Sequence, residues 1–356
     1  MMSSSSPVAC VAGGGPVSIG AYSANDEHAL RAFVDAHPDG LVYYTPQYRR
    51  LLLAVLGPEC HCLYRIARRG GEVSGILPLL AFDAPFGRVL NSLPFFGSNG
   101  GVLASDIESE AALLAEYEKL AHAPGIAGAT WVPHPFVQKA VPDCDVEDER
   151  IAQWTVLPNA SDRDAILGLV ESSARRNVAK ASRVGVSVHE TEAGLPFLEE
   201  VHRANMAAIG GRSKPHAFFE ELPRTMQFGR DWTLYIATLE ERPIAGLLLF
   251  MAAGTVEYVM PAIIESEREA QPTAALLVTA MSDAARRGFK IWNWGGTWLS
   301  QDKVHRFKRK WGAQERRYRY AVTLNDRSLL NETAARLSGS CPGFYVVPYG
   351  MLSGHS

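Results

Sequence analysis

The stretch LYRIARRGGEVSGILPLL, residues 63–80, is matched in outline by LYIATLEERPIAGLLLFM, residues 234–251. In each stretch a Leu-Tyr pair lies twelve residues before a glycine, Gly75 or Gly246. Each has two apolar runs separated by turn residues, which predicts a β-hairpin. Because the two hairpins lie about 170 residues apart, the spacing predicts a duplicated domain rather than a solenoid.

The sequence around the two hairpins supports this duplication. In both halves a further strand, a long helix and a strand with tryptophan are predicted to follow the hairpin, ending in ATWVP at 129–133 and KIWNW at 290–294. Earlier in the first half, Thr45 and Gly57 predict the cap and the end of a helix. In the second half, Ser161 and Asp164 predict a capping box that begins a helix running to Arg183.

Length and composition predict a folded protein of two domains. The chain has 356 residues, which is longer than one hydrophobic core usually grows, and its hydrophobic and charged shares are 47% and 21%. The amino terminus has no Lys or Arg before Arg31, so we expect no signal peptide. No apolar run is long enough to span a bilayer, and we expect a cytoplasmic protein. Five cysteines, of which only Cys60 and Cys62 are close, predict neither a disulfide nor a metal site.

Charge is unevenly distributed along the chain. The net charge of −3 argues against non-specific binding to bulk nucleic acid and to DNA. Residues 302–319 nevertheless carry eight basic and two acidic side chains, and residues 172–189 carry Arg175, Arg176, Lys180 and Arg183 without an acid. Either stretch could hold a phosphate-bearing substrate, and the alternative is a solvated helix face.

Three motifs accompany the hairpin repeat. They are SARRNVAKASRVGVSV at 173–188, GRVLNSLPFFGSNGG at 87–101, and WNWGGTW at 292–298 followed by VHRFKRKWGA at 304–313. In this order the motifs and hairpins make most of residues 17–324 resemble the FemAB group and related GNAT-like acyltransferases. The resemblance implies an α/β fold of tandem duplicated GNAT-like domains, each a mixed, mostly antiparallel sheet flanked by helices.

The implied domains are a disordered tail at 1–16, an N-terminal half at 17–150 on the acceptor side, a C-terminal half at 151–326 on the donor and catalytic side, and an extension at 327–356. The resemblance implies an enzyme that forms an amide between an activated aminoacyl or acyl group and an amine. We see no nucleophile elbow and no Ser-His-Asp signature, so hydrolase chemistry has little support. The implied acceptor is a small molecule or a cell-wall precursor.

Candidate catalytic residues come from the second half. Phe307-Lys308 matches the family's Phe-Lys pair, and we expect Lys308 to stabilise charge on the reacting carbonyl, the alternative being one solvated charge in a basic run. Asn293 is expected to donate to the acyl group, and His305 to carry a proton. Glu257 would activate an amine if it pointed inward, but we expect it to face solvent. The residues predicted to bind substrate are Phe307, Trp294, Gly295, Gly296, Arg175, Arg176, Lys180, Tyr43, Tyr44, Asn99 and Gly100.

The donor is predicted to be an aminoacyl-tRNA or an acyl-CoA, with no tightly bound cofactor. CoA-dependent GNAT enzymes use a glycine-rich turn before their long helix, because glycines let backbone amides approach the pyrophosphate. Here that stretch reads EREAQPTAALL at 267–277, without glycine and with Glu267 and Glu269 to repel a diphosphate. The sequence therefore favours the charged tRNA. An acyl-CoA-dependent N-acetyltransferase and a non-catalytic GNAT-like binding module are the alternatives.

Overall fold

The computed structural model describes residues 15–93, 100–137, 139–159 and 163–352. Asn99, Ser161 and most of the predicted tail, residues 1–14, lie outside the described residues. No helix in the described ranges is both long and apolar enough to cross a membrane.

The first half begins with one strand and two helices and continues as strands around a long helix. Its elements are β1 (Val17–Ala21), α1 (Glu27–Ala36), a 3₁₀ turn (Val42–Tyr44), α2 (Pro46–Leu56), β2 (Cys60–Cys62), β3 (Arg65–Arg69), β4 (Glu72–Leu77), β5 (Leu80–Ala84), β6 (Gly87–Asn91), β7 (Leu103–Ala104), α3 (Ile107–Ala121) and β8 (Ile126–Trp131). The Thr45 side chain caps α2 by accepting from the Tyr48 amide, and α2 ends before Gly57, as predicted.

The second half has a similar order of elements, with seven α-helices among its described residues where the first half has three. The first half ends with β9 (Val146–Val156), and the elements that follow are α4 (Arg163–Leu169), α5 (Ser172–Arg183), β10 (Ser187–Glu190), α6 (Leu195–Ala208), α7 (His216–Thr225), β11 (Trp232–Leu239), β12 (Arg242–Ala252), β13 (Thr255–Ile263), a 3₁₀ segment (Glu265–Ala270), α8 (Pro272–Arg286), β14 (Ile291–Trp298), α9 (Asp302–Arg309), β15 (Gln314–Leu324) and α10 (Ala334–Ser340). The single helix predicted to run to Arg183 is wrong, because the chain breaks between Leu169 and Ser172 into α4 and α5.

The strands form two sheets. Eleven strands follow the order β10-β11-β12-β13-β14-β9-β15-β8-β6-β5-β2, and β1-β3-β4-β7 form a separate sheet. Within the long sheet β13 with β14 and β6 with β8 are parallel, and these two pairs flank β9 and β15 symmetrically. The predicted α/β class with tandem GNAT-like domains is confirmed.

The two halves exchange their last strands. β9 follows β8 in the chain but pairs with β14, and β15 follows β14 but pairs with β8. β9 and β15 also pair with each other along most of their length. The predicted boundary between residues 150 and 151 falls inside β9, and the domain limits themselves stay a prediction.

The hairpin repeat is real but its alignment is out of register by one residue. The two-residue turns Gly70-Gly71 and Glu240-Glu241 are equivalent, and both hairpins shift register at the same place, after Ala67 and after Ala237. All four turn residues have positive φ, as in the type I′ turns that suit a hairpin. Structural equivalence therefore pairs Tyr64 with Leu234, whereas the Leu-Tyr spacing in the sequence paired Leu63 with it.

The apolar core forms on both faces of the long sheet. On one face of the second half, α4, α5 and α8 cover residues of β11 to β14, including Trp292 and Trp294. On the other face a larger cluster joins α2 of the first half to α6 and α7 of the second, with Phe250 of β12 and Met260 of β13. We call this second side the inter-half face. It places first-half side chains directly over strands of the second half.

Candidate active site

The candidate site lies where β13 and β14 separate. The last residue pair of their parallel ladder is Glu257 with Asn293, after which β13 runs on to Ile263 and β14 pairs with β9. A register shift follows Asn293, and Gly295 takes a φ of 73° that a glycine adopts at little cost. The two strands therefore diverge beyond this residue pair, and we call the point where they diverge the opening between β13 and β14.

Glu257 is the ionisable group at this opening. Its Oε2 accepts hydrogen bonds from Asn293 Nδ2 at 2.7 Å and from the Tyr43 hydroxyl at 3.2 Å. Its residue surface is only 1% exposed, and burial raises the pKa of the carboxyl to about 8. Among the described residues no donor reaches Oε1. The expectation that Glu257 faces solvent is wrong, since Val256 and Tyr258 point to the opposite face and turn Glu257 toward the first half.

β13 carries an extra residue just beyond Glu257. Leu248 and Leu249 of β12 pair with Met260 and Tyr258, so Val259 has no partner in the register. A bulge of this kind interrupts the ladder and leaves backbone polar groups without their usual strand partner. Val259 and Met260 both contribute to the inter-half core, on the same side as the Glu257 carboxylate.

Lys308 supports the site from α9. Its Nζ donates to Thr297 Oγ1 at 2.7 Å and to the Gly295 carbonyl at 3.3 Å, while the Gly295 amide donates to Asn293 Oδ1 at 2.9 Å. Lys308 is 5% exposed, and burial lowers the pKa of its ammonium to about 8. The solvated-charge alternative is therefore wrong. Lys308 thus contacts Gly295 and Thr297, whereas the Glu257 carboxylate contacts Asn293 and Tyr43.

The other predicted residues of β14 and α9 lie partly in the core and partly at the surface. Trp294 packs edge-on against Phe307, and its Nε1 donates to Thr155 Oγ1 at 2.9 Å, so both rings belong to the core beneath β14. A Cβ on Gly296 would collide with the Tyr318 hydroxyl, which makes glycine necessary there. His305 Nε2 lies 2.7 Å from Glu315 at the protein surface. Whether these residues contact substrate stays a prediction.

The predicted residues of the first half differ in whether they contact Glu257. The Tyr43 hydroxyl donates to Glu257, whereas the Tyr44 hydroxyl donates to the Gly100 carbonyl at 2.6 Å. Burial and the Glu257 carboxylate hold the pKa of Tyr43 well above its ordinary value, so it remains a donor. Thr297 and Val259 were not among the residues selected from the sequence. A polar residue inside the largely apolar strand β14 was the available signal for Thr297.

Comparison with known proteins agrees with this geometry. Residues 171–322 match the family model described as an acetyltransferase (GNAT) domain. The matched stretch is therefore similar to GNAT acyltransferase domains. This confirms the predicted enzyme class, and the bulged β13, the splayed β14 and Lys308 all lie within the domain. No curated protein matches the sequence.

Solved structures extend the likeness across both halves. The chain superposes on a crystal structure of FemX with a TM-score of 0.68 and 17% identity, covering 88% of this chain and 98% of that one. It is also similar to the C-terminal domain of a putative lysylphosphatidylglycerol synthetase from Agrobacterium fabrum, with a TM-score of 0.54, 12% identity and coverage of 91% and 99%. For a tandem GNAT protein from the clavulanic acid biosynthesis pathway, the TM-score is 0.50 and the identity is 14%, over 86% of this chain and 97% of that one. At these identities the likeness shows the fold.

The two basic stretches meet at one edge of the GNAT domain. The Glu171 amide, just before α5, donates to the Lys310 carbonyl, just after α9, at 2.9 Å. Arg176 and Lys180 of α5 and Arg309 of α9 are exposed, and we call these two helices the α5–α9 surface. Arg175 is partly committed, because it donates to the Val170 carbonyl at 2.7 Å.

Two of the three arginines of β15 are neutralised by neighbouring acids. Arg317 and Arg319 form ion pairs with Glu149 and Glu147 of the adjacent strand β9. The third, Arg316, donates to the Phe136 carbonyl at 2.8 Å. The basic count of residues 302–319 therefore overstates the positive charge available to a ligand.

The equivalent position in the first half is closed. Asn91 ends the parallel ladder of β6 and β8 as Glu257 ends that of β13 and β14. Its Nδ2 donates to the Tyr345 carbonyl at 2.7 Å and its Oδ1 accepts from the Tyr345 amide at 2.7 Å. At this position the first half thus has the Asn91 side-chain amide, hydrogen-bonded to the C-terminal extension, where the second half has the buried Glu257 carboxylate. Only the GNAT domain at 171–322 has the carboxylate in this place.

Proposed function

We propose that this acyltransferase forms an amide at the opening between β13 and β14, joining an activated aminoacyl or acyl group to the amine of a small molecule or cell-wall precursor. The observation that carries the proposal is Glu257, a buried carboxyl with a pKa of about 8 and one oxygen without a donor. A base that ionises near neutral pH is suited to accept the proton of an attacking amine.

The proposed reaction needs no covalent enzyme intermediate. The amine nitrogen attacks the donor carbonyl, the new C–N bond forms, and the C–O or C–S bond to the carrier breaks. Glu257 takes the proton that the amine loses and passes it on to the departing oxygen or sulfur, so that the carboxylate is restored. In this proposal the backbone at the Val259 bulge, two residues away on the same strand, donates to the developing oxyanion. Tyr43 and Asn293 orient the carboxylate.

Two features support an aminoacyl-tRNA as the donor. Pro272 at the start of α8 has no N–H, and the amides of Ala274 and Ala275 donate to the Gln271 carbonyl, so the helix start offers little to a diphosphate. The α5–α9 surface, in contrast, offers exposed cations to a longer phosphate backbone. An acyl-CoA donor is the other outcome that the experiment distinguishes.

The test supplies both donors to one acceptor mixture. Purified protein is incubated with cell-extract amines and either radiolabelled acetyl-CoA or charged tRNA, and products are identified by mass. We expect an amide product from charged tRNA that disappears in Glu257→Gln. Product from acetyl-CoA alone would establish the N-acetyltransferase alternative. Ligand binding without product from either donor would establish a binding module and overturn the proposal.

A further inference from the structure

A groove of about 810 Å³ runs between α6 and the free part of β13. Its walls are mostly apolar, with Val201 and Ala204 on the helix side and Val259, Met260 and Ile264 on the strand side. This volume lies within the range of small-molecule sites, about 300 to 1,000 Å³. Neither the proton transfer at Glu257 nor the α5–α9 surface uses the groove.

The groove lies next to the proposed reaction centre along β13. Val259, the bulge residue, lines it and lies two residues from Glu257 on the same strand. Val259 and Met260 face the inter-half side, to which the Glu257 carboxylate also points. An occupant of the groove therefore lies on the same side of the sheet as the Glu257 carboxylate.

The strand edge in the groove is poorly suited to an extended peptide. A peptide that added to β13 would need alternate backbone N–H and C=O groups along this edge. At Ile263 both groups are taken, since Asn205 Oδ1 accepts from its amide at 2.9 Å and Asn205 Nδ2 donates to its carbonyl at 2.8 Å. Pro261, two residues earlier on the same edge, has no N–H. An occupant without backbone hydrogen-bonding needs fits better.

The charges around the groove disfavour an anionic occupant. Arg268 is engaged by Glu265 through two hydrogen bonds of 2.9 and 2.5 Å, and Glu200 adds a second carboxylate to the lining. Burial and the Lys214 charge lower the pKa of His202, so this side chain does not offset the acids near neutral pH. A fatty acid or a phosphate would meet net negative charge, whereas an amine would not.

We infer that the groove binds the aliphatic chain of the acceptor, so that the acceptor is an amine attached to an extended apolar chain. This inference rests on the proposed function, because Glu257 is taken to receive the amine. It adds a substrate class: long-chain amines bind better than short-chain amines or hydrophilic peptides. The gain comes from apolar area removed from water along the groove.

The test measures binding, not turnover. Hexylamine, octylamine and decylamine are titrated below their aggregation concentrations, by calorimetry, into the wild-type protein and into Ala204→Trp and Ala207→Trp. Ala204 lines the groove, whereas Ala207 lies on the same helix, is also exposed and is outside the lining. We expect affinity to rise about threefold to fourfold per methylene in the wild type and in Ala207→Trp. In Ala204→Trp the decylamine affinity should fall at least tenfold.

The outcomes distinguish the groove assignment from the proposed chemistry at Glu257. Affinity independent of chain length, or equal in the two tryptophan variants, would overturn the groove assignment even if the enzyme formed amides. A hydrophilic amino-terminal peptide that bound as tightly as decylamine and was displaced by Ala204→Trp would also overturn it, in favour of a peptide acceptor. Length-dependent binding that persisted in Glu257→Gln, with no product from any donor in the wild type, would support the groove and reject the proposed chemistry.

Discussion

At the scale of the residue, Glu257 is a carboxyl group that burial disfavours in its ionised form, and it lies where β13 and β14 separate. Burial of a carboxylate costs stability unless hydrogen bonds compensate, and here Tyr43 and Asn293 both act on one oxygen. The pKa of about 8 measures the remaining penalty. Because the folded-state pKa lies above that of the unfolded chain, the contribution of Glu257 to stability decreases as the pH rises from about 4.5 to about 8.

Glu257→Gln should therefore be more stable than the wild type in alkaline solution. The amide keeps the shape of the side chain and never ionises, so its advantage in unfolding free energy should grow between about pH 5 and 8 and level off above. We expect the advantage to grow by on the order of 4 kcal/mol between pH 5 and 8. Urea unfolding at pH 5.5, 7 and 8.5 measures it. A pH-independent difference between the two proteins would mean that Glu257 is not the buried titrating group.

Lys308 is expected to act on the chemical step. Its buried ammonium is fixed at the Gly295 bulge, so Lys308→Ala should lower kcat about 100-fold with a smaller effect on KM. With a pKa of about 8, the ammonium loses its proton above that value, and kcat should decline there.

Lys310→Ala is the control for Lys308→Ala. It removes the same charge two residues away from an exposed side chain. Steady-state rates at low and high salt separate the two roles, because simple attraction of an anionic donor is screened by salt. If both variants lost activity equally, and more at low salt, Lys308 would have no catalytic role beyond attracting the donor.

Sequence patterns predicted these residues unevenly. The motif around Lys308 was sufficient to select it, although the basic run suggested solvent exposure. The alternation of β13 could place Glu257 opposite Val256 and Tyr258, but it could not show what covers that face. The cover is Tyr43, which lies 214 residues earlier in the chain. Contacts over such distances depend on how the halves pack.

At the scale of the element, α5 and α9 are joined where two separate basic stretches meet. Their exposed cations are the proposed contact for the phosphates of a charged tRNA. Arg176→Glu combined with Lys180→Glu should weaken tRNA binding and reduce the steepness of its salt dependence by about two ions. Filter binding over a range of salt concentrations measures both quantities.

Arg317→Glu combined with Arg319→Glu supplies the matched control. It reverses the same number of charges, but these arginines pair with Glu149 and Glu147 on β9. We expect a weaker loss of tRNA affinity in this variant. If the two double variants lost affinity equally, the binding surface would follow the whole basic segment rather than α5 and α9.

The hairpins and helices with capping signals were predictable, whereas β9 was not. Its sequence VEDERIAQWTV has acidic residues where a strand usually has apolar ones. These acids are compensated by arginines of β15, which come much later in the chain. The one-residue misalignment of the hairpins has a similar origin. Sequence identity at Leu-Tyr favoured one register, but the positive-φ turn residues define another.

At the scale of the whole molecule, the exchanged strands β9 and β15 make one sheet from two halves. The C-terminal extension then covers the inter-half face of the first half, with Phe344 against Phe82 and Tyr345 bonded to Asn91. The duplication has therefore left one open site and one closed counterpart. The sequence predicted the duplication, but not which half would be closed or by which segment.

A chain ending at Cys341 should lose stability without losing its catalytic residues. It would expose Phe82 and Val89 and leave the Asn91 side chain without its Tyr345 partners. Because β9 and β15 connect the halves, we expect both halves to unfold together in one transition at lower urea concentration. Fluorescence and circular dichroism should agree on the midpoint. Two separate transitions would indicate that the halves are energetically independent.

The most direct measurement of the central claim is the pH dependence of kcat for amide formation in the wild type and in Glu257→Gln. If Glu257 accepts the amine proton, the wild-type kcat should rise about tenfold per pH unit up to about pH 8. In Glu257→Gln, kcat should be roughly 100-fold or more lower than in the wild type. The fall in kcat below about pH 8, which is the acidic limb of the profile, should also disappear. A folded Glu257→Gln enzyme with the wild-type rate and the same acidic limb would contradict the account.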